Sequence, residues 1–96
     1  MYVTIVEGSV AEERVADLLA AWNANTEATP AGLIESSLLR SETGVWRIVT
    51  VWESREAVMA MRASGRPAAL TMFERAGSEG SVTMWEVEGR IRAPRD

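Results

Sequence analysis

Arg47–Met61 reads RIVTVWESREAVMAM. Its first half is rich in β-branched residues and alternates, as a strand does. Its second half reads as a helix. Ser54 stands at the switch and is placed to N-cap that helix, with Glu56 in the first turn, where the helix dipole favours a carboxylate. Val58, Met59 and Met61 are the helix's apolar residues. Trp52 closes the strand. It is either a large core residue or the wall of a site.

Upstream lies a second strand, LIESSLLR (33–40), and a tight turn, SETG (41–44). A three-residue loop of Glu42, Thr43 and a left-handed Gly44 sets Ser41 against Val45. Pairing back from there puts Ser36 opposite Thr50, Leu38 opposite Ile48 and Ile34 opposite Trp52. These residues share one face. Leu33, Ser37 and Leu39 share the other with Val45, Arg47, Val49 and Val51. Arg47, a charge in mid-strand, is expected to pair with Glu35, Glu53 or a partner chain.

Further out, YVTIVEG (2–8) alternates and forms the first strand. Ser9 and Glu12 sit at capping-box spacing, which starts a helix at Val10. Val15, Leu18, Leu19 and Trp22 then form an apolar stripe. Asn23 and Asn25 suit the helix end. TEATPAG (26–32) is a loop. Beyond the central helix, Gly65 is a stop, Pro67 opens a short helix anchored by Leu70 and Phe73, and VTMWEVEGRI (82–91) is the last strand. Residues 91–96 form a polar tail. The expected organisation is one domain over 1–96.

The order is β-α-β-β-α-β, which places helices on one side of a four-stranded antiparallel sheet: an α+β, ferredoxin-like fold. A sheet covered on one side usually shows polar residues on the other. Here both parities are apolar. One face carries Ile34, Leu38, Trp46, Ile48 and Trp52. The other carries Leu33, Leu39, Val45, Val49 and Val51, with Val3 and Ile5 from the first strand and Trp85 and Val87 from the last. Trp46 and Trp85 default to an interface between copies. The expectation is a homodimer, sheet against sheet.

Composition narrows the chemistry. The chain has 96 residues and a net charge of −4, so nothing draws it to nucleic acid or to an anionic membrane. No apolar run is long enough to span a bilayer. The first residues, MYVTIVEGSV, lack a basic n-region and an h-region, so cytoplasm is the expected location. There is no Cys, no His and no Lys. Thiolate nucleophiles, imidazole bases, Schiff-base lysines and the common soft metal sets are excluded. The paired carboxylates Glu12–Glu13 and Glu86–Glu88 supply no convincing metal set.

TPAGLIESSLLR (29–40) followed by VWRIVTVWESREAV (45–58) resembles the antibiotic biosynthesis monooxygenase family. Its pattern is a "PG" loop into strand two, then an aromatic-rich strand three ending in "WES" and a helix. The resemblance runs through the element order to the last strand. It implies a dimeric α+β barrel with a pocket between sheet and helices in each protomer. It also implies cofactor-free oxygenation of polycyclic phenols, haem degradation, or neither, since many members have no known role. The haem-degrading members match at Trp52 but use an Asn where Thr4 stands and a His that this chain lacks. The quinone-forming members carry an Asn four residues before that tryptophan and a Tyr six after. Here those positions are Ile48 and Val58.

With the resemblance, the substrate-binding candidates are Trp52 for stacking, Thr50, Ser36 and Thr4 for orienting a phenol, and Trp22 as a lid. Each also has a structural reading: the tryptophans as core, and the hydroxyls as groups satisfied on backbone or water. Met59, Met61 and Met72 read as adaptable core fillers. The expected function is cofactor-independent oxygenation of a small aromatic or polyketide-like molecule, with no cofactor or metal. The alternatives are a non-catalytic binding or structural module and a polyketide cyclase-like protein.

Overall fold

β2 (Leu33–Arg40) and β3 (Val45–Trp52) form the expected hairpin. The computed structural model describes residues 1–25 and 29–94. Gly44 has a φ of +84°, the left-handed conformation that a three-residue hairpin loop needs. Ser41 closes the loop twice. Its N–H donates to the Val45 carbonyl at 2.8 Å, and its Oγ accepts from the Val45 N–H at 3.0 Å. The expected register follows through Ser36–Thr50 and Leu38–Ile48. It fails at Ile34. A β-bulge between Leu33 and Glu35 sets Leu33, not Ile34, opposite Trp52.

β1 (Tyr2–Ser9) and β4 (Ser81–Glu86) complete an antiparallel sheet in the order β2-β3-β1-β4. Three helices cover one face: α1 (Val15–Ala24), α2 (Arg55–Ala63) and α3 (Ala68–Arg75). This is the ferredoxin-like α+β arrangement.

Three boundaries differ from expectation. The capping box at Ser9 does not form. Ser9 is the last rung of the β1–β3 ladder, opposite Val45, so the sheet claims its backbone. The helical path begins instead with a 3-10 turn at Glu12–Arg14. β4 stops at Glu86, which pairs with Tyr2. One further bond, from the Val87 N–H to the Met1 carbonyl at 3.1 Å, uses the last of the partner strand. In α1 the inward residues are Leu18 and Ala21, whereas Leu19 is 40% exposed. Val15 and Trp22 of the expected stripe pack against the core with them, so Ala21 takes the inward place expected of Leu19. Of the polar tail, Arg95 and Asp96 lie outside the described residues, as do Thr26–Ala28 of the loop after α1.

The core sits at one end of the space between sheet and helices. Val6, Ile48 and Trp46 meet Leu18, Met72 and Phe73 there. Trp46 is therefore a core residue, not an interface residue. Its indole N–H has no hydrogen-bond partner among the described residues, and the Arg40 guanidinium lies 5.1 Å from its ring centre. Arg47 pairs with Glu7, its cross-strand neighbour on β1, rather than with Glu35 or Glu53. On the face away from the helices Val3, Ile5, Val45, Val49 and Val51 are half-buried, Leu39 is 47% exposed and Trp85 55% exposed.

Candidate functional site

Rows run across the sheet at right angles to its strands. One is Leu38–Ile48–Val6–Val82, entirely apolar. The next is Ser36–Thr50–Thr4–Met84. Both face the helices. The apolar row supports the core; over the hydroxyl row the helices stand away from the sheet. The gap between them is a cavity of about 480 Å³, within the range of small-molecule sites.

Its floor is Thr4, Thr50, Ser36, Trp52, Ile48 and Val6, with Val82 and Met84 from β4. Its roof comes from Trp22 of α1, Val58, Met61 and Arg62 of α2, and Ala69 and Met72 of α3. Pro30, Leu33 and Ile34 border it on the side of the loop into β2. That loop is tied down. Gly32 has a φ of +86°, and its carbonyl accepts from the Glu53 N–H at 2.8 Å. A Cβ built on Gly32 would lie 2.5 Å from the Ala57 Cβ, so only glycine lets the loop approach α2 so closely. Ser54 starts α2 as expected, its Oγ accepting from the Ala57 N–H at 3.2 Å.

The hydroxyls are nearly all the polarity the floor has. Trp52 is buried, and its Nε1–H donates to Thr4 Oγ1 at 3.0 Å. That bond fixes the plane of the indole. Ser36 Oγ and Thr50 Oγ1 are 2.9 Å apart. Each hydroxyl has one proton to donate. The Ser36–Thr50 bond uses one of its two protons. Thr4 accepts from the indole, and no hydrogen bond among the described residues takes its own proton. The row thus offers two O–H donors to whatever lies above it. Such a surface suits an apolar molecule with carbonyl or phenolic oxygens on one edge.

The model of the antibiotic biosynthesis monooxygenase family matches residues 1–75. The chain belongs to that family. Solved structures agree in fold. A variant of MhuD holding two manganese protoporphyrin IX molecules per active site is 23% identical, with a TM-score of 0.75 over 97% of this chain and 100% of that one. SnoaB, a cofactor-independent oxygenase from Streptomyces nogalater, is 17% identical in a variant form, with a TM-score of 0.70 over 96% and 98%. A further antibiotic biosynthesis monooxygenase is 12% identical, with a TM-score of 0.69 over 93% and 100%. No curated protein matches the chain by sequence.

In this family member the five sequence candidates, Trp52, Thr50, Ser36, Thr4 and Trp22, all border one cavity. Met61 and Met72, read as core fillers, border it as well, whereas Met59 does not. Met84 and Arg62 went unnoticed in the sequence. Parity along β4 could have flagged Met84, since it follows Val82 by two residues. Nothing local marks Arg62, because its place depends on how α2 is rotated over the sheet. No group of three or more acidic, His or Cys residues able to hold a metal exists among the described residues. No helix among them is long and apolar enough to cross a membrane.

Proposed function

We propose that this protein is a cofactor-independent monooxygenase acting on a small aromatic, polyketide-like substrate held in the cavity. The observation that carries the reading is the Ser36–Thr50–Thr4 row, with Trp52 locked onto it, at the base of a largely apolar chamber. Family membership supports oxygenation as the reaction class. The absence of Cys, His and Lys from the chain makes the substrate the source of reactivity.

An anthrone shows the chemistry. Loss of a C–H proton gives an electron-rich phenolate-like anion. It passes an electron to O₂, the radical pair combines into a C–O bond, and loss of water leaves the quinone. Anthrone and O₂ become anthraquinone and water, so atoms and electrons balance without a cofactor. The hydroxyl donors of Thr4 and of the Ser36–Thr50 pair stabilise the oxyanion as charge develops. Trp52 and Trp22 bracket the ring system and fix its orientation. The test is O₂ uptake with anthrones and hydroquinones: turnover that Trp52→Phe reduces supports the reading.

A second reading is a binding module or a cyclase. Ile48 and Val58 favour it, since both present only hydrocarbon to the cavity at the positions where the quinone-forming members carry Asn and Tyr. A cyclase converts its substrate without O₂, and a binder gains thermal stability with ligand but changes nothing.

In the same reading the open sheet face receives a second copy of the chain. Val3, Val49, Val51, Leu39 and Trp85 form a patch there that water otherwise meets.

A further inference from the structure

Two charged residues among those described border the cavity, Glu35 and Arg62. Glu35 stands opposite Val51, on the parity of the open face and at the far β2 edge. Arg62, in the last turn of α2, reaches the β4 end of the hydroxyl row. Its Nη1 donates to Met84 Sδ at 3.4 Å. A thioether is a weak acceptor and a poor match for a guanidinium. Elsewhere in the fold arginines find carboxylates: Arg14 with Asp17 at 2.7 Å, Arg66 with Glu74 at 2.8 Å, Arg40 with Glu12 at 2.9 Å, and Arg47 with Glu7. Among the described residues the other arginines without such a partner do not border the cavity; Arg90 makes the same kind of contact, to Met1 Sδ at 3.4 Å, away from it.

A plainer role for Arg62 is to face the negative end of the α2 dipole. That role explains a cation in the last turn. It does not explain a guanidinium laid on a cavity wall against sulfur, with its fork unfilled.

We propose that Arg62 is a specificity residue that receives a carboxylate on the substrate, so the cavity takes aromatic acids in preference to their neutral analogues. The proposal rests on the reading of the cavity as the ligand site and adds the ligand's charge. Met84 lies directly across from Thr4 on the neighbouring strand. Thr50 is one strand further on. Two strand spacings, about 10 Å, therefore separate the strand of Arg62's partner from that of Thr50. A fused ring system covers that span, with a ketone or hydroxyl oxygen on the hydroxyl row and a carboxylate at the guanidinium. Trp52 and Met61 supply the apolar walls between. Carboxylate binding then replaces a weak N–H···S contact with a charge-assisted, two-pronged one.

The test is calorimetric titration with anthraquinone-2-carboxylate and its neutral counterpart, anthraquinone-2-carboxamide. The wild type is expected to bind the acid roughly five- to tenfold more tightly, a range that suits an ion pair at a solvent-open mouth. The preference should shrink in high salt. Arg62→Gln should abolish it by weakening the acid far more than the carboxamide, and Arg62→Lys should keep part of it. Arg62 is exposed, so both variants should fold. Equal affinity for acid and amide in the wild type would overturn the role of Arg62 and leave the cavity reading standing. A preference that survives Arg62→Gln would do the same. Binding of neither probe would overturn both.

Discussion

Thr4 holds the indole of Trp52 through one hydrogen bond, and both residues are buried. Replacing Thr4 by Val keeps the shape and removes the acceptor. The indole N–H is then left unpaired, which costs about 1–3 kcal/mol. Thr4→Val is therefore expected to lower stability by that amount in urea titrations, with Thr4→Ser close to wild type; equal loss in both would point to packing instead. Trp52→Phe keeps an apolar wall but loses ring area and the anchor on Thr4. Turnover or ligand affinity is expected to fall about tenfold with the fold intact. These residues were legible in the sequence because parity along a hairpin is local: once Gly44 sets the register, Ser36 and Thr50 must meet. Thr4 joined them through the family resemblance and the rule that alternate residues share a face. Arg62 and Met84 were not legible. They come together across 22 residues of sequence, through strand order and helix packing that no local pattern encodes. The partner of Arg47 is hidden for a related reason, since Glu7 becomes its neighbour only when β1 pairs with β3.

At the scale of elements, the junction of loop, β3 and α2 decides where the cavity opens. Gly32→Ala would force a side chain into positive φ and against Ala57, at a cost of about 2 kcal/mol or more. Thermal unfolding should show a clear fall in Tm, whereas Gly89→Ala, with open space around it, should change stability by less than about 0.5 kcal/mol. Ser54→Ala removes the α2 cap and should cost about 1 kcal/mol. Periodicity disclosed every strand and helix of the sheet layer and the helix layer. It failed where one element's needs overrode another's signal. Ser9 reads as a cap, but a ladder rung uses its backbone first. VTMWEVEGRI reads as one long strand, but β1 runs out of partners after Tyr2. Ile34 reads as a floor residue, but a bulge, which has little sequence signature, hands its rung to Leu33.

The whole molecule presents two apolar faces and covers one with its own helices. A second copy is expected on the other, with Val49 near the middle and Trp85 toward the β4 edge. Sedimentation at micromolar concentration should give a dimer, and Trp85→Glu should give a folded monomer; a monomeric wild type would contradict this. The two-faced sheet was legible from alternation alone, since both parities of β3 are apolar. The cavity was not, because a gap between sheet and helices depends on how far the helices stand off, which the family resemblance implied and the chain itself does not spell out. The chemistry proposed above the hydroxyl row is tested by O₂ consumption in an electrode cell, with a panel of anthrones and hydroquinones, against heat-denatured protein and Trp52→Phe. Uptake above the denatured control is expected, matched by quinone formation and reduced about tenfold in Trp52→Phe. Substrate that binds in the cavity yet consumes no O₂ beyond the control would contradict it and leave a binding or cyclase-like protein.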